Sequence, residues 1–120
     1  MFKRMDGQKQ KHRNYLTSKQ IYSCNSCHCH LIDQNSIISR KFQGRNGPAY
    51  LVDAISNIIV GTREERMLRT GIHTVADIIC NQCHIKIGWK YLRALDEPQK
   101  YKEGRYIVEK SRVVKDFEWD

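Results

Sequence analysis

The chain carries two Cys-x-x-Cys pairs, Cys24-Asn25-Ser26-Cys27 and Cys80-Asn81-Gln82-Cys83, with 52 residues between Cys27 and Cys80. One such pair alone serves a dithiol redox centre as readily as a metal. Two pairs of equal spacing read as a single tetrahedral Zn²⁺ site, because a two-residue spacer lets both sulfurs of a knuckle face one ion. Four thiolates at about 2.3 Å fill the coordination sphere and leave no place for water or substrate, so a structural zinc is expected. The long insert then limits the fold: the chain must leave the metal, build a body and return to it. A small treble-clef finger is not built that way.

At 120 residues the chain is expected to form one domain with a core of modest size, supplemented by the zinc. Five cysteines are an odd number, and no apolar leader or apolar run of about 18–20 residues is present. These features point to a reducing compartment, nucleus or cytoplasm, and to no membrane partner. The net charge of +8 is uneven. Lys3, Arg4, Lys9, Lys11, Arg13 and Lys19 against Asp6 give residues 1–20 a charge of +5, leaving +3 for the rest. Zinc with four thiolates adds about −2, so the body is close to neutral. Residues 1–19 are read as a disordered basic tail, either simply solvated or an arm for an acidic partner or nucleic acid. Residues 20–115 are read as the folded domain and 116–120 as a C-terminal tail.

Hydrophobic patterning predicts mostly β structure in antiparallel arrangement. Gln20-Ile21-Tyr22 opens a short strand feeding the first knuckle. Ile37 to Phe42 is a strand closed by the turn cluster Gly44-Arg45-Asn46-Gly47-Pro48. Ala49 to Val60 is an apolar stretch that Gly61 is expected to end, and Thr62-Arg63-Glu64-Glu65 fits a capping box with a helical turn. His73 to Ile79 alternates, with His73, Val75, Asp77 and Ile79 on one face and Thr74, Ala76 and Ile78 on the other, and runs into the second knuckle. Ile85 to Leu92 leaves it as another strand, and Gly104 makes a turn before Tyr106-Ile107-Val108-Glu109.

Several phrases occur in order along this body: Phe42-Gln43-Gly44, Gly47-Pro48-Ala49-Tyr50-Leu51, Glu64-Glu65-Arg66, Thr70 through Ile78, Gly88-Trp89-Lys90-Tyr91 and Gln99-Lys100-Tyr101-Lys102-Glu103-Gly104. With the 52-residue gap they resemble the Yippee family of small eukaryotic proteins, over residues 20–110. The resemblance implies the β-tent fold of cereblon's thalidomide-binding domain: two antiparallel sheets meeting like a tent, with one zinc at an end. It implies no enzymatic activity. It also implies protein partners, namely the subunits of a GID/CTLH-type ubiquitin ligase, for which the chain would be an adaptor or regulatory subunit with a role in cell proliferation. A nucleic-acid-binding zinc module using the basic tail is the alternative.

The expected metal ligands are Cys24, Cys27, Cys80 and Cys83. Cys29 is expected to be a thiol beside the metal rather than a ligand, with a redox-sensor role as the alternative. B-type methionine sulfoxide reductases use a related fold but attack with a thiol beyond the second knuckle, where this chain has no cysteine. His73 and Asp77 lie about 13 Å apart along a strand, too far for a relay. Trp89 and Tyr91 share a strand face. They are either core aromatics or, by resemblance to cereblon's Gly-Trp-Lys-aromatic phrase, two walls of a pocket for an imide or a methylated lysine, with His73 as a third. Arg63, Glu64, Glu65 and Arg66, with Lys100, Tyr101, Lys102 and Glu103, are read as an exposed partner surface or, equally, as solvated charge.

Overall fold

The computed structural model describes residues 20–117. The expected basic tail, 1–19, and the last residues of the chain lie outside them. Nine strands build two sheets: β1 (Gln20–Cys24), β2 (His30–Asp33), β3 (Ile37–Gly44), β4 (Gly47–Val52), β5 (Ile58–Leu68), β6 (Gly71–Cys80), β7 (Lys86–Ala94), β8 (Tyr106–Glu109) and β9 (Val113–Phe117). The small sheet has the order β2-β1-β9 and the large one β3-β4-β8-β7-β6-β5. Every described pairing is antiparallel. This is the two-sheet, mostly β architecture expected. Among the described residues the only helices are short 3₁₀ turns, and no helix is long and apolar enough to cross a membrane.

The large sheet buries both faces, and neighbouring residues divide between two apolar clusters. Val52, Ile78 and Val108 face the small sheet, where they pack with Tyr22, Leu31 and Ile32. Leu51, Val75, Ile107, Trp89 and Tyr91 face the other way, with Phe42 and Leu68 closing over them from the edge strands β3 and β5. Leu51 beside Val52, and Ile107 beside Val108, show the period of two doing this work: successive side chains point to opposite faces.

Two expectations are corrected. Thr62-Arg63-Glu64-Glu65 forms no helical turn; it lies inside β5, an edge strand of the large sheet whose side chains are mostly exposed. Gly61 ends the apolar residues but not the strand that carries them. It sits within β5 where the register shifts between Val60 and Arg63, and the extra residue of a bulge is a common use of glycine. The two faces read for His73 to Ile79 are both packed, because Ala76 and Ile78 on one are as buried as His73 and Val75 on the other. Beyond these, β9 was not foreseen as a strand; it pairs with β1 and runs to Phe117, past the boundary drawn at 115.

Candidate metal centre and aromatic pocket

The two knuckles have the same backbone design. In the first, the Cys24 amide donates to the Cys29 carbonyl at 2.8 Å and the His28 amide to the Cys24 carbonyl at 2.8 Å. In the second, Cys80 donates to Ile85 and His84 to Cys80, both at 2.9 Å. His28 and His84 follow the second cysteine of their knuckles, and both take left-handed backbone, at φ 64° and 65°. Each closes its tight turn, and neither histidine belongs to the thiol cluster. The first knuckle ends β1 of the small sheet and the second ends β6 of the large one, so the metal site joins the two sheets.

Cys24, Cys27, Cys80 and Cys83 bring their sulfurs within 4.8 Å of one another. The Cys24–Cys83 and Cys27–Cys80 Sγ pairs are both 3.6 Å apart. A tetrahedron with zinc–sulfur bonds of about 2.3 Å has edges of about 3.8 Å, so the four thiols fit one zinc ion. The electrostatics agree. Burial pushes the Cys24 thiol up, and Cys27 up to about 12, because four clustered sulfurs cannot all ionise without a cation. Burial also opposes ionisation of Cys83, but the Ile85 amide and hydrogen bonds from Cys24, Ser26 and Cys27 outweigh it and bring Cys83 down to about 7. Amides from Ser26 and Cys27 point at Cys24, and that of Cys29 at Cys27, ready to stabilise thiolates. The cluster holds one structural zinc.

Cys29 is 3 % exposed and belongs to the core between the sheets. In the shared knuckle design it takes the position of Ile85, whose carbonyl makes the matching hydrogen bond. It is therefore a small packed hydrophobe next to the metal, outside the ligand set.

The other concave feature lies on the opposite face of the large sheet. Trp89 and Tyr91, edge to face with ring centres 6.2 Å apart, line a cavity of about 740 Å³ with Phe42, Leu68 and Tyr101. Trp89 and Tyr91 are 8 % and 3 % exposed and belong to the core cluster, and both also line this cavity. Burial pushes the Tyr91 phenol up to about 12. His73 is not a wall of this cavity. It is buried with its ring 5.3 Å from that of Tyr91, and its Nδ1 is 2.9 Å from the Gly71 carbonyl oxygen.

The cage also has an occupant, which corrects the reading of Lys102 as exposed surface. Lys102 is 3 % exposed. Its ammonium lies 5.3 Å from the Phe42 ring centre, 5.4 Å from Tyr91 and 5.9 Å from Tyr101, and donates to Thr70 Oγ1 at 3.0 Å. Burial pushes its pKa below the ordinary lysine value. The 3₁₀ turn Glu97–Lys102 sets this up against the end of β7. Glu103 accepts the Ala94 amide at 2.9 Å, and Lys100 donates to the Ala94 carbonyl at 2.9 Å, so these two finish the strand's backbone bonding. Gly104, at φ 82°, closes the turn with its amide on the Tyr91 carbonyl. Tyr101 stays half exposed at 51 %. Of the other expected surface residues, Arg63, Glu64 and Glu65 are exposed on β5. Arg66 is half-buried and pairs with Glu64 and with Asp77, the latter at 2.9 Å.

Glu109 was missed by sequence reasoning. It is 5 % exposed and accepts the Arg45 amide at 2.8 Å, the Asn46 amide at 3.2 Å and Asn46 Nδ2 at 3.1 Å. It thereby fixes the β3–β4 turn at the cavity's edge.

Residues 20–116 match the family model described as Yippee zinc-binding/DNA-binding/Mis18, centromere assembly. The chain is 50 % identical over 107 residues to protein yippee-like 3 of Oryzias latipes, covering 88 % of this chain and 90 % of that protein. It is 48 % identical over 109 residues to protein yippee-like 4 of Homo sapiens, covering 90 % and 86 %. The crystal structure of the Mis18 'Yippee-like' domain superposes with a TM-score of 0.66, over 86 % of this chain and all of that one. At 12 % identity that last likeness speaks for the fold alone.

Proposed function

The chain belongs to the Yippee zinc-binding family, and from that premise we propose that it is a non-catalytic interaction module, acting in nucleus and cytoplasm as an adaptor or regulatory subunit of a GID/CTLH-type ubiquitin ligase with a role in cell proliferation. The observation that carries the non-catalytic part is the thiol cluster. Four sulfurs fill a tetrahedral sphere, so the zinc has no position left for substrate. The remaining cysteine, Cys29, is packed in the core. The ligase assignment is supported by the family's phrases, and the exposed Arg63, Glu64 and Glu65 on edge strand β5 offer the surface for it.

Affinity purification of the zinc-loaded chain from cells tests this. The expected result is stoichiometric ligase subunits, retained by wild type and reduced by the charge reversal Arg63→Glu with Glu65→Lys. Recovery of no ligase subunit from folded, zinc-loaded protein would overturn it.

A second reading, a nucleic-acid-binding module, is favoured by one observation besides the family model's wording. Among the described residues the aromatic cavity is lined by Lys41, Arg45, Arg66, Arg69 and Lys102 and by no Asp or Glu. Binding through phosphates would weaken steeply as salt rises. Binding unchanged between low and high salt would exclude it.

A further inference from the structure

The charge of the aromatic cavity disfavours the ligand that its rings alone would suggest. An aromatic cage ordinarily takes a quaternary or methylated ammonium. Here the chain's own Lys102 supplies the cation, between Phe42, Tyr91 and Tyr101. Its ammonium has three N–H donors and gives one to Thr70. No carboxylate pairs with it among the described residues. Lys41, Arg45 and Arg69 add charge of the same sign around the cavity, and among the described residues Arg66 is the one of its cations with carboxylate partners. A second cation would enter against this field.

We propose that the cavity is a site for a nucleotide unit, a flat base with an attached phosphate. The base would lie against Phe42, Trp89 and Tyr101, since every base presents a π-face to an aromatic wall. The phosphate would take the remaining Lys102 donors, with Arg45 and Arg69 at the rim, and a phosphate matches several cations better than a single carboxylate does. A volume of about 740 Å³ suits a ligand of this size. The unit comes either from a free nucleotide or from a single strand. This deepens the nucleic-acid reading above and is independent of the ligase reading.

The test uses the zinc-loaded full chain carrying Trp119→Phe, which leaves Trp89 as the only indole. Its emission is followed during titration with adenosine monophosphate, adenosine, a single-stranded oligo(dA) and a phosphotyrosine peptide. Saturable binding of adenosine monophosphate is expected, with adenosine at least tenfold weaker and Lys102→Gln at least tenfold weaker. A large gain in affinity for oligo(dA), competed by the mononucleotide, identifies a single strand as the source. No gain identifies the free nucleotide.

Where Lys102→Gln loses zinc or unfolds, the exposed rim variant Arg69→Gln with Lys41→Gln replaces it, with a several-fold loss expected. The proposal is overturned by adenosine binding as tightly as its phosphate, by the peptide alone binding, by no saturation with either nucleotide form, or by unchanged affinity in the folded variants. Oligo(dA) binding that the cavity variants leave intact overturns the pocket assignment while leaving nucleic-acid binding elsewhere on the chain standing.

Discussion

Gly88 in β7 lies so close to Ile107 in β8 that a Cβ built on it would stand 1.9 Å from the Ile107 carbonyl oxygen. The two strands are paired there, Gly88 opposite Val108, and the tight approach carries Trp89 and Ile107 into the cluster beside the cavity. This explains the glycine of the Gly-Trp-Lys-Tyr phrase by backbone contact, since only a residue without Cβ fits. Gly88→Ala is expected to destabilise the protein by about 3 kcal/mol, the upper end of overpacking penalties, because the atom it strikes is main chain and cannot rotate away. Chemical denaturation at saturating zinc measures this. A loss under about 0.5 kcal/mol would contradict the close packing.

Cys29 fills the place that Ile85 fills in the other knuckle, so an apolar replacement should be accepted. Cys29→Val is expected to keep the zinc and to change stability by no more than about 1 kcal/mol, whereas Cys29→Ser should cost about 1–2 kcal/mol by burying a hydroxyl. In the native zinc-loaded protein Cys29 should resist alkylation, because it is 3 % exposed. Zinc loss from the valine variant would place Cys29 among the ligands, against the geometry.

Asp77 joins β6 to its neighbours through Arg66 at 2.9 Å and Lys86 at 3.3 Å. Burial works against its ionisation, but Arg66 and Lys86 outweigh that and hold its pKa below the ordinary carboxylate value. A depressed folded value means that the ionised form favours the fold. Its contribution is complete above the unfolded pKa of about 3.9 and is lost as the pH falls through the lower, folded value. Asp77→Asn should cost about 1 kcal/mol at neutral pH, and its stability should fall less steeply than that of wild type below about pH 4. Parallel acid limbs in the two proteins would show that Asp77 carries no such linkage.

What was legible in the chain follows from how local the signal was. The knuckles, the β3–β4 turn and the strands on either side of Cys80 are written in short-range spacing and alternation, and they stand where expected. Thr62 to Glu65 misled because an exposed edge strand, with little of its surface in the core, has no reason to alternate; its residues look the same as those of a helix start. β9 was hidden because Val113 to Phe117 is short, and its partner β1 lies at the other end of the chain. Lys102 was illegible for a different reason. A lysine is exposed by default, and its burial here depends on Phe42, Tyr91 and Tyr101 arriving from separate elements. The hydrogen bonds of Lys100 and Glu103 to Ala94, which fix that turn, have no signature in the sequence.

A closed centre of four thiolates joins the two sheets by their knuckles, and zinc held there has no open coordination position. X-ray absorption at the zinc edge, on protein with its metal content counted, tests it most directly. One zinc per chain is expected, with four sulfur neighbours at about 2.3 Å and no lighter ligand, the sulfur count dropping in Cys80→Ser. A nitrogen or oxygen neighbour in the wild-type shell, or a shell of fewer than four sulfurs, would contradict it.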